Sequence, residues 1–315
     1  MFLPALYVDI FQRDQLPLDK EELKINGHVV KLFREVLLGQ MALKKSRTGW
    51  CLEFFSGTEY VQRFFVKFTK YEGSGDVPER HNDALTALAY VQVGADASTS
   101  MLRQACEQTS LYVRGSRAVK QEHLYEASTH WGYVDGRGAQ YLSKIEGGTA
   151  QFERHVLLHA LAYAYLLTME EMGNRLSEML PANAACEDAL RQLYKDVALF
   201  NAKSFFHQPV KLSNGPTCET WRRIDDALGI RTSNTELFKQ VESAHYIYGL
   251  DEEKQAAQRR EKQEKDEKEK ACEEAQLRLR QERKEKRRDL GLTLVGLLLA
   301  LVSAPGAIEL VKSWW

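Results

Sequence analysis

The chain has 315 residues, with 43 Lys and Arg set against 44 Asp and Glu, for a formal net charge of −1. That balance argues against nucleic acid as a partner, which asks for a basic patch or domain. Five cysteines (Cys51, Cys106, Cys186, Cys218 and Cys272) form no C-x-x-C pair and no even set, so they exclude a disulfide framework and read as reduced thiols.

The first residues, MFLPALYVDIFQRD, have no basic leader and are interrupted by Pro4 and Asp9. They predict a strand from Ala5 to Phe11 rather than a signal peptide. Val29 to Lys45 places Val30, Phe33, Val36, Leu37 and Met41 at helical spacing and predicts a helix, with Lys44, Lys45 and Arg47 as its solvated end. Trp50–Phe55 and Tyr60–Phe68 are aromatic and β-branched, two strands joined near Ser56-Gly57. Glu72 to Asp83 reads as a loop. Leu85 to Val93 is an apolar run that periodicity leaves open between strand and helix. Met101–Gln108 predicts a short helix and Leu111–Val113 a strand. Residues 1–148 are therefore expected to form an α/β cytosolic domain.

From Thr149 the texture becomes helical. Gln151–Leu180 predicts a long helix ended by Pro181, Asn183–Phe206 a second, and Thr217–Leu228 a third closed by Gly229. Ser233 and Glu236 have capping-box spacing and would open a fourth, with Leu237, Val241, Ala244 and Tyr248 on one face. Gly249 would end or bend it. Residues 149–250 are expected to be a helical domain.

Residues 251–289 hold 13 acidic and 14 basic side chains. Acid-then-base pairs at i, i+4 recur: Glu261/Lys265, Glu264/Lys268, Asp266/Lys270, Glu274/Arg278 and Glu282/Lys286. Each supports a helix by a few tenths of a kcal/mol. No apolar heptad is sustained, so a strong coiled coil is not expected. The run reads as a charged stalk helix, with a disordered charged linker as the alternative.

Residues 290–308, LGLTLVGLLLALVSAPGAI, carry no charge. Nineteen residues at about 1.5 Å each span roughly 30 Å, a bilayer's hydrocarbon core, and in lipid a lone segment must be helical. A buried core helix is the alternative. Lys284, Lys286, Arg287 and Arg288 precede the run and Lys312 follows it, so the bulk of the chain is expected in the cytoplasm. Residues 309–315, with Trp314 and Trp315 suited to an interface, are the outer tail. The localisation that follows is an inner or plasma membrane, single-pass and tail-anchored. Thr293, Gly296, Ala300 and Ala304 share one helix face, and small residues at that spacing let helices approach closely in lipid. Ser303 adds a polar group to such a bundle and Glu309 marks its outer mouth.

Four segments carry a family resemblance: Phe200-Asn-Ala-Lys-Ser-Phe-Phe, Pro209-Val-Lys-Leu-Ser, Thr220-Trp-Arg-Arg-Ile-Asp-Asp-Ala-Leu-Gly-Ile and Glu236-Leu-Phe-Lys-Gln-Val-Glu. Together with the order of parts, they resemble the helical region before the pore in the CorA-like metal-ion channel superfamily, over roughly residues 150–305. The resemblance implies a homo-pentamer whose membrane helices line a pore. The family's Gly-Met-Asn signature would follow the first membrane helix, where this sequence reads Ser303-Ala-Pro-Gly-Ala, and the second membrane helix has no counterpart. Mg²⁺ transport therefore does not carry over.

Other chemistry is sparse. His155 and His159 stand i, i+4 with Glu153 nearby, a spacing a metal accepts. Val156 occupies the place where H-E-x-x-H needs Glu, and Leu157, Leu158 and Leu161 are apolar, so core or interface histidines are the adopted reading. Gly136-Arg137-Gly138 and Gly147-Gly148 match no phosphate-loop or dinucleotide fingerprint; they read as turns, with an anion cradle as the alternative. No nucleophile–base arrangement is visible, so an enzyme is not expected, and no cofactor is implied. The fold class is α+β. Three functions remain in view: a homo-oligomeric, CorA-like membrane protein whose cytosolic domain gates an ion pore or membrane-perturbing bundle; a non-conducting tail-anchored scaffold or signalling protein that binds a small molecule or protein regulator; and, last for want of a site, a membrane-tethered enzyme.

Overall fold

Strands buried on both faces along the N-terminal half build one large sheet in the computed structural model, which describes residues 2–17, 21–119, 124–179 and 187–303 (backbone alone at 187, 248–253, 255 and 301–303). In chain order the strands are β1 (Ala5–Gln12), β2 (Glu21–Glu22), β3 (Lys24–Ile25), β4 (His28–Val29), β5 (Met41–Lys45), β6 (Gly49–Phe54), β7 (Gln62–Tyr71), β8 (Thr86–Gln92), β9 (Leu124–Glu126), β10 (His130–Asp135) and β11 (Gly138–Ser143). Nine of them form a mixed sheet in the order β2-β5-β6-β7-β1-β8-β11-β10-β9. All its pairs are antiparallel except β8 with β11, where Gly138 lies opposite Ala87 and Ser143 opposite Gln92. β3 and β4 make a separate small hairpin.

Side chains alternate across the sheet, so each strand feeds two cores. On one face, Tyr7, Ala87 and Ala89 pack with Tyr112 and Val113 of the helix α2 (Thr99–Arg114), and Val91 and Leu142 pack with its Ala105 and Cys106. On the other, Tyr90 and Tyr141 meet Phe152 of the helix α3 (Thr149–Met179). The helices α4 (Glu187–Lys203) and α5 (Gly215–Leu228) pack against α3. α3 is buried on most of its circumference, which is why its apolar residues show no single stripe. Each fully buried Leu or Phe contributes on the order of 2 kcal/mol through area removed from water. Residues 1–148 and 149–246 thus share cores: backbone contacts divide the chain at Met1–Tyr246 and Ile247–Trp315, not at residue 148.

Several local expectations are corrected. Val29–Lys45 is not a helix. Asn26 and Gly27, both at positive φ (50° and 77°), turn β3 back onto β4, and the helix that follows, α1 (Glu35–Leu38), lasts four residues before Gly39 and β5. The spacing that suggests a longer helix comes from Phe33 and Leu37, each buried separately, while Val36 is exposed. Lys44 and Lys45 lie on β5. Leu111–Val113 belongs to α2, whose Ser98 caps it by accepting from Met101 N. Leu85–Val93 resolves as β8. The ends of the helices predicted at Leu180 and Asn183 lie outside the described residues.

The last helix, α6 (Ile230–Ser303), has 74 residues. It begins at Ile230, not at Ser233. Asp225, buried on α5, accepts from the Arg231 backbone N–H at 2.9 Å and from its guanidinium at 2.7 Å, and so supplies the cap expected of Ser233. The backbone stays helical through Gly249. Within Ile247–Trp315, every side chain described from Lys254 to Ala300 is exposed, as the charge pattern predicts for residues 251–289. Of the five predicted i, i+4 pairs, Glu261–Lys265 is closed, at 2.8 Å.

Candidate functional site

The predicted pore residues occupy the end of α6. Thr293, Gly296 and Ala300 follow at helical steps, so they share a face. The Thr293 hydroxyl donates to the Asp289 carbonyl at 2.6 Å, so its donor is spent within the helix rather than offered to a neighbour. A Cβ built on Gly296 would meet nothing within 4 Å. Ser303 ends the helical backbone, with its side chain undescribed, and Ala304 and Glu309 lie outside the described residues. Leu290, Leu292, Leu294, Val295, Leu297, Leu298 and Leu299 are all more than half exposed. Among the described residues no helix is long and apolar enough to cross a membrane. The described part of the apolar run, 290–303, rises about 21 Å at 1.5 Å per residue, short of a roughly 30 Å hydrocarbon core.

The two histidines flagged by spacing sit in the α3-facing core. His155 Nε2 lies 3.2 Å from Thr220 Oγ1 on α5. His159 is completely buried, and among the described residues neither of its nitrogens has a hydrogen-bond partner. His130 of β10, unnoticed in the sequence, stacks on Tyr141 with centroids 4.1 Å apart and meets His155 edge-on at 5.1 Å. Burial holds all three neutral. His130 is pushed down to about 4, with Lys144 and Arg223 adding to the effect, and His159 to about 3. His155 falls well below its usual range through burial first and its two neighbours second. Among the described residues no three His, Cys, Asp or Glu side chains are grouped to hold a metal. The glycine pairs are turns: Gly136-Arg137 joins β10 to β11, and Gly147, at φ 69°, leads into α3, where Phe152 N–H donates to the Gly148 carbonyl.

A cleft of about 690 Å³ opens where α2 ends and β8 and β11 begin. Its walls include Arg80, Arg114 and Arg137, with Glu79 as the one carboxylate lining it among the described residues, and Leu85 and Leu111 as apolar surface. Arg114 is committed to structure. It donates to Tyr133 Oη at 2.7 Å and to the Ala118 carbonyl at 3.0 Å, and its Nε lies 3.3 Å from Asp135 Oδ2, close enough for charge attraction but not aligned for a hydrogen bond. Near Tyr112, Asp9 is almost wholly buried, with Oδ1 unpartnered among the described residues. Burial raises its pKa, while a hydrogen bond from Tyr112 and the charges of His81 and Arg80 pull the other way. None of these residues forms a sequence motif; a loop, a helix end and a hairpin turn bring them together.

Comparison with protein-family models, curated proteins and solved structures finds no match to this chain.

Proposed function

We propose that this chain is a membrane-anchored, self-associating protein whose apolar run 290–308 enters a bilayer, with residues 1–289 on the cytoplasmic side. One observation carries the reading. At about 100° per residue the exposed side chains of Leu290, Leu292, Leu294, Val295, Leu297, Leu298 and Leu299 cover an arc of roughly 220°. Thr293, Gly296 and Ala300 fill the remaining arc. A coiled-coil seam is narrower than this, and a helix apolar over most of its surface requires an apolar surrounding. Lipid meets the leucine arc, and a second copy meets the small one. The basic residues Lys284, Lys286, Arg287 and Arg288 support the orientation.

The order of parts (sheet, helices, long charged helix, apolar run) supports a CorA-like assembly, about five copies around a path gated by the body. Ser303-Ala-Pro-Gly-Ala in place of the selectivity signature leaves a non-conducting receptor as the second reading, and the arginine-lined cleft favours it. Deleting residues 290–315 tests the anchor: the truncated chain is expected in the soluble fraction and the full chain in the membrane pellet after alkaline wash. A full chain that stays soluble and unaggregated without detergent overturns it. Ion flux from liposomes, compared between the native chain and Glu309→Gln, separates channel from receptor. Flux sensitive to the substitution supports the channel, and no flux across a panel of mono- and divalent cations supports the receptor.

A further inference from the structure

The cleft at the end of α2 holds more positive charge than its surroundings use. Among the described residues, neither Arg80 nor Arg137 has a carboxylate within ion-pair distance. Arg80 donates to the Ala84 carbonyl at 2.6 Å and makes longer contacts of 3.4 and 3.5 Å to the Val113 and Arg137 carbonyls. Arg137 donates to the Arg114 carbonyl at 3.2 Å. A guanidinium carries five N–H donors in a planar fork, so most donors of this pair are unspent. Two of these four carbonyls, those of Val113 and Arg114, belong to the last turn of α2, the negative end of its dipole, which favours both cations there and helps fix their placement before any ligand arrives. Leu85 and Leu111 add apolar surface to the same lining. The volume, about 690 Å³, falls within the range of small-molecule sites.

We propose that this cleft binds a phosphate-bearing small molecule, its phosphate oxygens paired by Arg80 and Arg137 and its less polar body laid against Leu85 and Leu111. Two forks lining one cleft suit the tetrahedral oxygens of a phosphate, because arginine pairs with them bidentately where lysine offers a point charge. Arg114, already held by Asp135 and Tyr133, acts as a positioning residue: its carbonyl anchors Arg137. The site stands on Met1–Tyr246 alone and does not depend on whether residues 290–308 enter a bilayer.

The test is calorimetric titration of the purified full-length chain in detergent with ATP, with inorganic pyrophosphate and with adenosine. Saturable binding of ATP and pyrophosphate, mutually competitive and weakened by added salt, is expected, with none for adenosine. Arg137 is exposed in a turn, so Arg137→Glu should fold with an unchanged melting temperature and weaken both phosphate probes by about tenfold or more, the scale of lost charge-assisted hydrogen bonds. Should that variant melt early, Arg137→Gln reads the same loss without adding a repulsive charge. No binding of either phosphate probe at millimolar concentration, or binding unaffected in the folded Arg137 variant, overturns the proposal.

Discussion

Nε2 of His155 and Oγ1 of Thr220 lie 3.2 Å apart, a bond that ties α3 to α5 inside the core. The Thr220 hydroxyl also lies 3.1 Å from the Pro216 carbonyl, where it can only donate. His155 therefore carries its proton on Nε2 and donates to the hydroxyl oxygen. Thr220→Val keeps the shape and strands a buried N–H, a loss of about 1–3 kcal/mol. Urea unfolding should show a lower midpoint at unchanged slope, and Thr220→Ser should recover most of it. A Val variant as stable as the parent would mean the bond contributes nothing.

Acid should destabilise the body through the same core. His130 and His159 titrate near 4 and 3 in the folded chain but at 6.5 when unfolded. Between those values the unfolded state binds more protons, so stability is complete above pH 6.5 and falls as pH drops towards 4. The slope is up to about 1.4 kcal/mol per pH unit for each histidine. Asp9 and Glu153, raised by burial, work in the opposite sense, so single substitutions give the cleaner comparison. His159→Leu should melt with a shallower dependence on pH from 6.5 to 4.5. A parallel curve would show that His159 is not held neutral.

Gly138 is expected to tolerate no side chain. Its φ is 151°, and an added Cβ would lie 1.9 Å from the Ala87 carbonyl oxygen across the parallel pair. Gly138→Ala should cost upwards of about 2 kcal/mol, because strained backbone and a clash with main chain combine. Circular dichroism melting decides this, with Gly136→Ala, where nothing lies within 4 Å of the added Cβ, as the neutral comparison.

Cys272 is exposed on the charged helix. If copies associate in parallel through residues 290–308, mild oxidation of membrane-embedded protein should join neighbours at Cys272. Gly296→Leu with Ala300→Leu should reduce that yield several-fold by separating the helices. Undiminished cross-linking in the double variant would move the interface elsewhere.

The parts legible in the sequence were those with one dominant signal or an unambiguous stop. β1, β6 and β7 are dense in apolar, aromatic and β-branched residues, and α5 ends at Gly229, which adopts the left-handed conformation glycine allows. The α+β class followed from these. Val29–Lys45 misled because Phe33 and Leu37 are buried by separate partners, Phe33 by a bridge to Val210, and the Asn26-Gly27 turn went unused as a hairpin signal. β10 and β11 were missed, since Gly132 and Gly138 weaken their strand signal. The histidine spacing was visible, but its partners His130 and Thr220 come from other elements. The arginine cleft could not be read at all: Arg80 and Arg137 meet because β11 pairs beside β8, a long-range choice that no local period encodes.

That pairing also has a consequence for how the chain is made. β8 sits between β1 and β11, yet α2, β9 and β10 are synthesised before β11 arrives. Until Ser143 has left the ribosome, one side of β8 presents unpaired amides and carbonyls flanked by Leu88 and Val91, both fully buried in the finished fold. A nascent chain at that stage carries an open, apolar strand edge, the form that recruits other strands. Translational pausing between β8 and β11 should therefore raise aggregation, and a chaperone that shields extended apolar segments should matter most over that interval.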